Sequence, residues 1–557
     1  MGHHHLCVGR LVREDEDVRE DSLEAVFKTE PRSYQREAFD RFKDRNSFAL
    51  MFDMGLGKTK TAIDIAVYKY LRGEIEAVML IAPNGVHVQW VSEQMPLHCN
   101  VEYEAFIWDS AKLGRKYYKA EGNKFFSKSD RLKLFAINVE AFSSKTVLKY
   151  ADLFIQRFPR VMIILDESTR IKNPSANRSK AIMRYNGVGV RCILTGTPAA
   201  KDPYSIYNQY EFLQRGFFNM AYIVFQHKYG LLMSDKNFRT GRSFKRPIGE
   251  KDYAIIKHKL KKMREHHGDR LTQEHYFLVA TSSNTSESVV RFIDSQEKYV
   301  KYRNLEELRD TIAPVTISVK KDDVADLPPK IYATSYVLMS KEQEKVYNDL
   351  KESLRARYAG EELSVTSKLT LMLRLLQVCG GFFPFEEEGE RKSDVKPIGS
   401  NPKLERIIDE LEEVDFEETK CIVWAAFVPE LLLLYKELSK TYSCCLYYGG
   451  VSKDERVQIL EDFKAGKYDI FIGNIQTAAY GLNLQNATVQ LYYSNNFRTE
   501  DRLQAENRSH RIGTKNTVVY KDIVAKGTVD ELCVKAIQAG RDLNEFFKDM
   551  SLEEILG

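Results

Sequence analysis

Two series of short apolar runs, rich in β-branched and aromatic residues, constrain the fold of this chain more than any other feature. The first series comprises FALMF (48–52), AVMLIAP (77–83), VMIILDE (161–167) and RCILTGT (191–197). The second comprises KCIVWAAF (420–427), SCCLYYGG (443–450), YDIFIGN (468–474), TVQLYYS (488–494) and VVYKDIV (518–524). Because a helical pattern follows the runs, their spacing predicts strands of parallel sheets. We therefore predict an α/β fold with two lobes in tandem.

The segments around these two series complete the predicted domain organisation. Residues 1–25 form an N-terminal segment, and its opening MGHHHL is a candidate tag remnant whose histidines are excluded from metal arguments. The first lobe is predicted over 26–215 and the second over 366–535. Between them, 216–365 is predicted to be a mostly helical, basic insertion. A C-terminal helix is predicted over 536–557.

Composition excludes several classes of protein. The 557 residues are 43% hydrophobic and 29% charged, as is ordinary for a globular protein of several domains. No run approaches the roughly 18 apolar residues of a membrane span, so no membrane partner is expected. The eight cysteines show no C-x-x-C pair or zinc spacing, which is typical of an intracellular, reduced protein. The adjacent Cys444 and Cys445 are explained as strand residues on opposite faces.

The formal net charge of +4 is too small to indicate a polyanionic partner, so a nucleic-acid contact would depend on local patches. One such patch lies between Lys228 and Glu265, where twelve lysines and arginines occur with four acidic residues. YAIIKHKLKKMREHH (253–267) predicts a helix there. Its face is either a nucleic-acid contact or simply solvated. The candidate DNA-binding residues are Lys257, Lys259, Lys261 and Lys262.

A glycine-rich segment, FDMGLGKTKTAID (52–64), follows one predicted strand and opens a helix. Phe52 stands where a P-loop has its first glycine. The residues that match the rest of a P-loop are Gly55, Gly57, Lys58 and Thr59. Backbone N–H groups of such a loop cradle phosphate oxygens, Lys58 would reach the β- and γ-phosphates of ATP, and Thr59 would ligate Mg²⁺. The alternative is a turn that only caps a helix.

A second strand ends in adjacent carboxylates, in IILDESTRIKNP (163–174). Asp166 would hold Mg²⁺, directly or through water. Glu167 would orient and deprotonate the water that attacks the γ-phosphate. The alternative is a strand that leads into an acidic helix cap. Together with the glycine-rich segment, the pair favours a site of nucleotide hydrolysis.

Two arginines without an obvious local partner, Arg508 and Arg511, lie in RLQAENRSHRIGT (502–514). At a spacing of three residues on a helix they would share a face. Cations placed against the γ-phosphoryl oxygens in the transition state are worth on the order of 10³–10⁵ in rate. We therefore expect these arginines to complete the site from the second lobe when the lobes close. The alternative is an exposed basic helix.

These motifs resemble those of the Swi/Snf-related DNA translocases of helicase superfamily two. PRSYQREAF (31–39) looks like the adenine-reading segment of that family, with Gln35 in the reading position. DMGLGKT (53–59) looks like its phosphate loop. The other segments that resemble family motifs, in chain order, are LIAPNGVHVQWVSE (80–93), LDESTRIKN (165–173), LTGTP (194–198), KKDDVADLPPK (320–330), YYGGVSKDERVQILEDF (447–463), TAAYGLNLQNA (477–487) and DRLQAENRSHRIGT (501–514).

The resemblance implies RecA-like lobes, ATP and Mg²⁺ as cofactors, and a DNA-dependent ATPase that translocates on double-stranded DNA. Such a motor would remodel DNA structures or protein–DNA complexes. The DES and QAEN variants look most like the annealing-helicase-like branch, with forked or branched DNA as substrate. The resemblance also implies residues that couple ATP to DNA, namely Thr195, Gly196, Thr197, Gly481 and Gln504.

Three departures from the family pattern concern coupling rather than phosphate or metal contacts. Thr169 stands where a histidine usually follows the Asp–Glu pair. Ala478 and Ala479 replace a usual glycine pair, and Thr514 replaces a usual glutamine.

Two other functions remain open from the sequence. A superfamily-two RNA or DNA helicase that separates strands would share both lobes. A nucleotide-dependent scaffold would lack turnover. The short flanks predict a bare, monomeric motor of prokaryotic or phage origin, or one recruited by another protein. It would act in the cytoplasm of a prokaryote or an infected host cell, or in the nucleus of a eukaryote.

Overall fold

The computed structural model of this chain describes residues 26–196, 203–236, 243–324, 328–357, 365–384, 395–478, 482, 484–495, 499–510, 514, 516–540 and 554. The chain divides into two compact units. The first comprises Met1–Asp53 and Gly57–Val319, and the second comprises Met54–Leu56 and Lys320–Gly557.

The strands of the described residues are β1 Ser47–Phe52, β2 Ala77–Ala82, β3 Tyr103–Ile107, β4 Leu132–Asn138, β5 Val161–Asp166, β6 Val190–Leu194, β7 Leu232–Lys236, β8 Ser243–Pro247, β9 Thr316–Val319, β10 Lys330–Val337, β11 Phe382–Pro384, β12 Val395–Pro397, β13 Lys420–Ala425, β14 Cys444–Tyr447, β15 Ile470–Asn474, β16 Ala487–Tyr492 and β17 Val518–Ala525.

The α-helices of the same residues are α1 Ser33–Phe42, α2 Lys58–Leu71, α3 Val86–Gln89, α4 Met95–His98, α5 Lys116–Phe125, α6 Lys145–Arg157, α7 Asn177–Ile182, α8 Tyr204–Leu213, α9 Tyr222–Tyr229, α10 Glu250–His267, α11 Gln273–Ser282, α12 Glu287–Ser295, α13 Leu305–Ile312, α14 Lys321–Val324, α15 Lys341–Arg357, α16 Val365–Cys379, α17 Pro402–Glu412, α18 Val428–Leu438, α19 Lys453–Lys464, α20 Ile475–Ala478, α21 Thr499–Glu506 and α22 Val529–Gln538. Every one of these helices is too short or too polar to cross a bilayer.

A seven-stranded parallel sheet forms the first unit, in the order β3-β4-β2-β5-β6-β1-β9. Its central strands are buried along their whole length, as expected for a parallel sheet covered on both faces. Leu194 of β6 pairs with Leu50 of β1 on one side and with Asp166 of β5 on the other. The carboxyl ends of β5, β6 and β1 therefore lie side by side.

A six-stranded parallel sheet forms the second unit, in the order β10-β17-β16-β13-β15-β14. Cys444 and Cys445 lie in β14 and contribute to two different hydrophobic clusters, as the alternation of side chains along a strand predicts. The two-lobed α/β fold and all nine predicted strands are thus confirmed.

The predicted insertion contains a small helical module and also strands of both main sheets. Helices α10, α11 and α12 enclose their own cluster of buried apolar side chains, which confirms the helix predicted at 253–267. The same stretch of sequence supplies β9 to the first sheet and β10 to the second. In the region of the predicted C-terminal helix, α22 ends at Gln538, and 541–553 and 555–557 lie outside the described residues.

Candidate active site

The glycine-rich segment links the carboxyl end of β1 to the amino end of α2. Gly57 caps α2 in the left-handed region, with a φ of 76°, which a glycine adopts without strain. The Lys58 ammonium folds back over this turn and donates to the carbonyl oxygens of Phe52 (2.7 Å) and Asp53 (3.3 Å). Thr59, half-buried, is the second residue of the helix. Free helical N–H groups beside an ammonium form a suitable site for phosphate.

The Gln35 side chain lies directly against this turn. It is buried, and its Oε1 accepts the N–H of Arg32 at 2.9 Å, which caps the start of α1. A Cβ placed on Gly57 would lie 2.2 Å from Nε2 of Gln35. Position 57 therefore requires glycine for space as well as for its positive φ. The carboxamide for which the family resemblance implies adenine reading is thus adjacent to the glycine-rich segment.

Asp166 is the last residue of β5 and is buried. Its Oδ2 accepts the indole N–H of Trp90 at 2.8 Å, and its Oδ1 accepts the backbone N–H of Glu167 at 2.9 Å. Burial raises the pKa of the Asp166 carboxyl, whereas the Trp90 bond and the positive charge of Lys58 oppose that rise. The sequence analysis did not identify Trp90. A buried indole N–H usually has an acceptor, but the sequence does not indicate which residue supplies it.

Glu167 occupies the left-handed region with a φ of 51°, which is unusual for a residue that has a Cβ. Non-glycine residues in such conformations concentrate at functional sites, where the surrounding structure holds them. Hydrogen bonds to the residues that follow Glu167 hold the backbone here. The Ser168 hydroxyl, fully buried, donates to Gln209 Oε1 of α8, and the Asn208 amide donates to the carbonyl of Ile171 at 2.6 Å.

Thr195 and Gly196 follow β6, the strand between β5 and β1. Thr195 is buried, and its N–H donates to the Leu50 carbonyl of β1 at 3.2 Å. This segment therefore lies between the Asp166–Glu167 pair and the glycine-rich segment. Thr197 and Gly481 lie outside the described residues. Gln504 is buried within α21 of the second unit.

The part of the chain that the structure describes has no cluster of three or more His, Cys, Asp or Glu side chains placed to hold a metal ion. A magnesium ion would instead depend on the oxygen atoms of Thr59 and Asp166 together with phosphate oxygens and water. Hydroxyl and carboxylate oxygens suit this hard cation, which usually keeps much of its water. The orientation of both Asp166 oxygens by donors is consistent with such a role.

In the second unit, α21 ends at Glu506, two residues before Arg508. The prediction that Arg508 and Arg511 share a helix face is therefore wrong at Arg508, which lies in a turn. Arg508 is largely buried, and its Nη1 donates to the Leu482 carbonyl at 3.4 Å. Arg511 lies outside the described residues.

Another arginine that the sequence analysis did not single out anchors this segment. Arg502, fully buried, forms two bonds with Asp522 (2.6 and 3.1 Å) and one with Glu506 (3.0 Å). Burial alone would lower the pKa of Arg502, but Asp522 and Glu506 raise it above its usual value. Its planar guanidinium also lies over the ring of Tyr492. The four-residue spacing of Arg502 and Glu506 in the sequence indicated part of this network.

The four candidate DNA-binding lysines of α10 fall into two pairs. Lys257 donates to the carbonyl of Gln296 and, at 3.3 Å, to that of Asp294, at the end of α12. Lys259 donates to the carbonyl of Ser282, the last residue of α11, at 2.7 Å. Lysines in these positions satisfy the free carbonyl groups of helix C-termini. The other pair, Lys261 and Lys262, is exposed.

Comparison with known families agrees with these motifs. The model of the SNF2-related domain matches residues 34–381, and that of the helicase conserved C-terminal domain matches 402–513. An uncharacterized ATP-dependent helicase of Mycoplasma pneumoniae is 23% identical over 99% of this chain and 46% of its own length. A putative ATP-dependent helicase/translocase of Bacillus subtilis, YwqA, is 21% identical over 95% of this chain and 50% of its own.

Eukaryotic proteins show about the same sequence identity to this chain as the bacterial ones. The ISWI chromatin-remodeling complex ATPase of Saccharomyces cerevisiae is 23% identical over 92% of this chain and 40% of its own length. The chain thus spans about half the length of the curated relatives it matches. A solved SWI2/SNF2 ATPase core of Sulfolobus solfataricus, in complex with double-stranded DNA, is 20% identical, with 95% of this chain and 94% of that chain covered and a TM-score of 0.36.

Proposed function

Because the chain belongs to the family of SNF2-related domains, whose model matches 34–381, we propose that it is a DNA-dependent ATPase that translocates on double-stranded DNA. It would remodel DNA structures or protein–DNA complexes as it moves. The observation that carries the proposal is the meeting of three segments at one edge of the first sheet. These are the phosphate loop after β1, the carboxylate pair after β5 and the Thr195 segment after β6.

Each residue of this edge has a defined task in the proposal. Lys58 and the N–H groups at the start of α2 bind the phosphates of ATP. Thr59 and Asp166 hold Mg²⁺, which neutralises charge on the phosphate oxygens when it is bound. Glu167, whose backbone lies in the left-handed region, accepts a proton from the attacking water. Gln35, next to Gly57, contacts the base of the nucleotide.

The DNA part of the proposal rests on the family and on surface charge. Backbone contacts by a tracking motor carry no sequence information, so binding should be non-specific and salt-sensitive. Thr195, Gly196 and Gln504 would transmit the state of the nucleotide to the DNA contacts. Forked or branched DNA, a recruiting protein and a monomeric motor remain part of the same proposal.

The test is the rate of ATP hydrolysis with no nucleic acid, duplex DNA, forked DNA, single-stranded DNA or RNA. Duplex or forked DNA should stimulate most, and Lys58→Ala should lower the stimulated rate by at least about a hundredfold, or ~2.7 kcal/mol. Stronger stimulation by RNA would favour a strand-separating RNA helicase. Nucleotide binding without turnover under all five conditions would favour a scaffold.

A second assay distinguishes translocation from strand separation. A motor that tracks along duplex DNA should displace a third strand bound in the major groove and leave the two duplex strands paired. A helicase that separates strands should instead release one strand of a partly single-stranded duplex. The Glu167→Gln variant provides the matched control for both assays, since it should bind ATP and DNA without turnover.

A further inference from the structure

The turn that follows Glu167 is held by helix α8 at both of its ends. This 3₁₀ turn begins at Ser168 and ends at Ile171. The Ser168 hydroxyl donates to Oε1 of Gln209, and the amide of Asn208 donates to the Ile171 carbonyl at 2.6 Å. The three side chains that make these bonds are buried. Two adjacent residues of α8 therefore bind the two ends of the turn in the interior of the first unit.

The orientation of the Gln209 carboxamide follows from its second hydrogen bond. Its Nε2 donates to the Ser205 carbonyl of the same helix at 2.7 Å. The opposite orientation would place Oε1 against that carbonyl oxygen, so Oε1 faces Ser168 as an acceptor. Gln209 is 2% exposed and Ser168 is 0% exposed. Breaking a bond between two such buried groups leaves a polar atom unpaired and costs free energy, so the bond constrains the turn.

A constrained Ser168 also constrains the residue before it. Glu167 has a φ of 51° and a ψ of 56°, a conformation that a residue with a Cβ keeps only where the surrounding structure holds it. Inside the turn, the Arg170 N–H donates to the Glu167 carbonyl at 3.0 Å. The direction of the Cα–Cβ bond follows from the positions of the backbone atoms. A turn that is held at both ends therefore sets the direction in which the Glu167 side chain leaves the backbone.

The same helix also contacts the strand that leads into the glycine-rich segment. Tyr210, the residue after Gln209, is fully buried. Its hydroxyl lies 3.8 Å from Sδ of Met51 in β1 and 2.7 Å from Oγ1 of Thr316 in β9. In the part of the chain that the structure describes, α8 is the first helix after Thr195. One helix of the first unit thus joins the turn after the carboxylate pair to the strand before the glycine-rich segment.

We propose that Gln209 is a positioning residue that acts through Ser168 to direct the Glu167 carboxylate toward the attacking water. The inference rests on the proposed ATPase function, in which Glu167 is the base. A base must lie within hydrogen-bond reach of the water whose proton it takes. A displacement of about 1 Å can lower a rate on the order of 10²-fold. All three residues belong to the first unit, so the inference concerns the geometry of that unit alone.

The test compares variants that break the Ser168–Gln209 bond with Tyr207→Phe. That control removes a hydrogen bond of the same helix, to the Met220 carbonyl and not to the turn. Ser168→Ala and Gln209→Met should each lower the DNA-stimulated kcat by about tenfold or more and keep the KM for ATP within about twofold. Ser168→Cys keeps a weaker donor of similar size and should have an intermediate kcat. Tyr207→Phe should leave kcat and KM unchanged.

A double variant separates positioning from a loss of stability. Ser168→Ala combined with Gln209→Met replaces both partners of the bond with apolar groups, so it should recover much of the unfolding temperature that either single variant loses. Its kcat should stay as low as that of the single variants. A kcat that recovers together with the unfolding temperature would overturn the inference. So would a kcat of both single variants equal to that of Tyr207→Phe.

A second background tests whether the effect passes through Glu167. In Glu167→Gln, the further change Gln209→Met should have little effect on kcat, because the base through which Gln209 acts is gone. An equal fractional loss of kcat in both backgrounds would show that Gln209 acts elsewhere and would refute the positioning role.

Hydrogen exchange gives a readout that does not depend on ATP hydrolysis. The amide of Arg170, inside the turn, should exchange faster in Ser168→Ala than in Tyr207→Phe, because the turn has lost its bond to Gln209. Unchanged exchange at Arg170 would contradict the positioning role even in an active protein. If instead exchange rises but the unaltered protein hydrolyses no ATP with any nucleic acid, the proposed function fails and the contact between α8 and the turn stands.

Discussion

The indole of Trp90 and the carboxylate of Asp166 are joined by a 2.8 Å hydrogen bond in the interior of the first unit. Trp90 opens a π-helical turn, Trp90–Gln94, an irregularity that frequently occurs at functional sites. The second oxygen of Asp166 accepts the backbone N–H of Glu167. Each oxygen of Asp166, the proposed metal ligand, therefore accepts one hydrogen bond that orients the carboxylate. Of the two donors, only the indole N–H of Trp90 can be removed by a substitution.

Trp90→Phe should weaken Mg²⁺-dependent hydrolysis without unfolding the protein. The ring keeps most of its packing, whereas Asp166 loses a charge-assisted bond worth about 1.5–3 kcal/mol. Because that bond lowers the pKa of Asp166, its loss should move the acidic limb of the pH–rate profile to higher pH. The measurement is kcat against pH and against Mg²⁺ concentration.

The matched control for that variant is Trp108→Phe. Trp108 is equally buried, and its indole N–H has no hydrogen-bond partner among the residues that the structure describes. This change should leave both the Mg²⁺ dependence and the pH profile as they were. The same shift in both variants would mean that packing, and not the bond to Asp166, is responsible.

Glu167→Gln should separate nucleotide binding from turnover. The amide keeps the size of the side chain and can still bond to water, but it cannot accept the proton. We expect the Kd for ATP to stay within about twofold of that of the unaltered protein. The kcat should fall by a factor on the order of 10² or more. Equilibrium binding of a fluorescent ATP analogue and steady-state hydrolysis measure the two effects. Hydrolysis at the original rate would remove Glu167 from the role of base.

The sequence allowed Asp166, Glu167 and the glycine-rich segment to be proposed as site residues because each lies at the end of an apolar run. A parallel sheet brings such ends together without any detail of packing. The hydrogen-bond partners of those residues could not be predicted from the sequence. Trp90 and Asp166 are 76 residues apart, and nothing in the sequence selects one acceptor for a buried indole. β9 was also missed, because an alternation of polar and apolar residues over only four positions is too short to distinguish a strand from a loop.

The second unit contains a buried carboxyl group that should make its stability depend on pH. Burial raises the pKa of Glu430 from 4.5 to about 7, while Ser494 and Lys403 oppose the rise and Asp530 supports it. Between these two values the folded state keeps a proton that the unfolded state has lost. Stability should therefore fall as pH rises from about 4.5 to about 7, by at most about 3 kcal/mol, and then level off.

Glu430→Gln should flatten this dependence, because the amide has the shape of the protonated acid and does not ionise. Chemical denaturation at pH 5, 6, 7 and 8 measures the slope. Glu437→Gln on the same helix is the control, since the hydrogen bond from Lys440 lowers the pKa of Glu437, opposite to the shift at Glu430. A parallel pH dependence in Glu430→Gln and the unaltered protein would show that other groups produce it.

The two pairs of lysines on α10 should differ in function: one pair should stabilise the helical module and the other should bind DNA. Lys257→Ala and Lys259→Ala remove bonds to the ends of α12 and α11, so each should destabilise the helical module by about 0.5–1 kcal/mol. Neutralising Lys261 and Lys262 should instead weaken DNA binding and reduce its salt slope by about one per lost phosphate contact. Titrations of each variant with duplex DNA at several salt concentrations measure this slope. An unchanged slope for Lys261 and Lys262 would identify a solvated helix face.

Arg511→Ala should leave ATP binding to the first unit nearly intact and lower DNA-stimulated turnover on the order of 10³, because the lost contact forms mainly in the transition state. Arg511→Lys should rescue little, since an ammonium lacks the planar fork that bridges two phosphoryl oxygens. Arg508→Ala should behave differently. Arg508 is largely buried and bonded to the Leu482 carbonyl, so its loss should lower the unfolding temperature as well as the rate.

A structure with DNA, ADP and a metal fluoride provides the decisive test of these two arginines. The fluoride occupies the place of the γ-phosphoryl group, where negative charge accumulates during transfer. We expect the Arg511 guanidinium within about 3 Å of it, with Arg508 behind it as support. A guanidinium of Arg511 that remains well beyond hydrogen-bonding distance in that complex would contradict catalysis by both units. The rate loss in Arg511→Ala would then have to arise through DNA binding, which a weakened salt dependence of affinity would reveal.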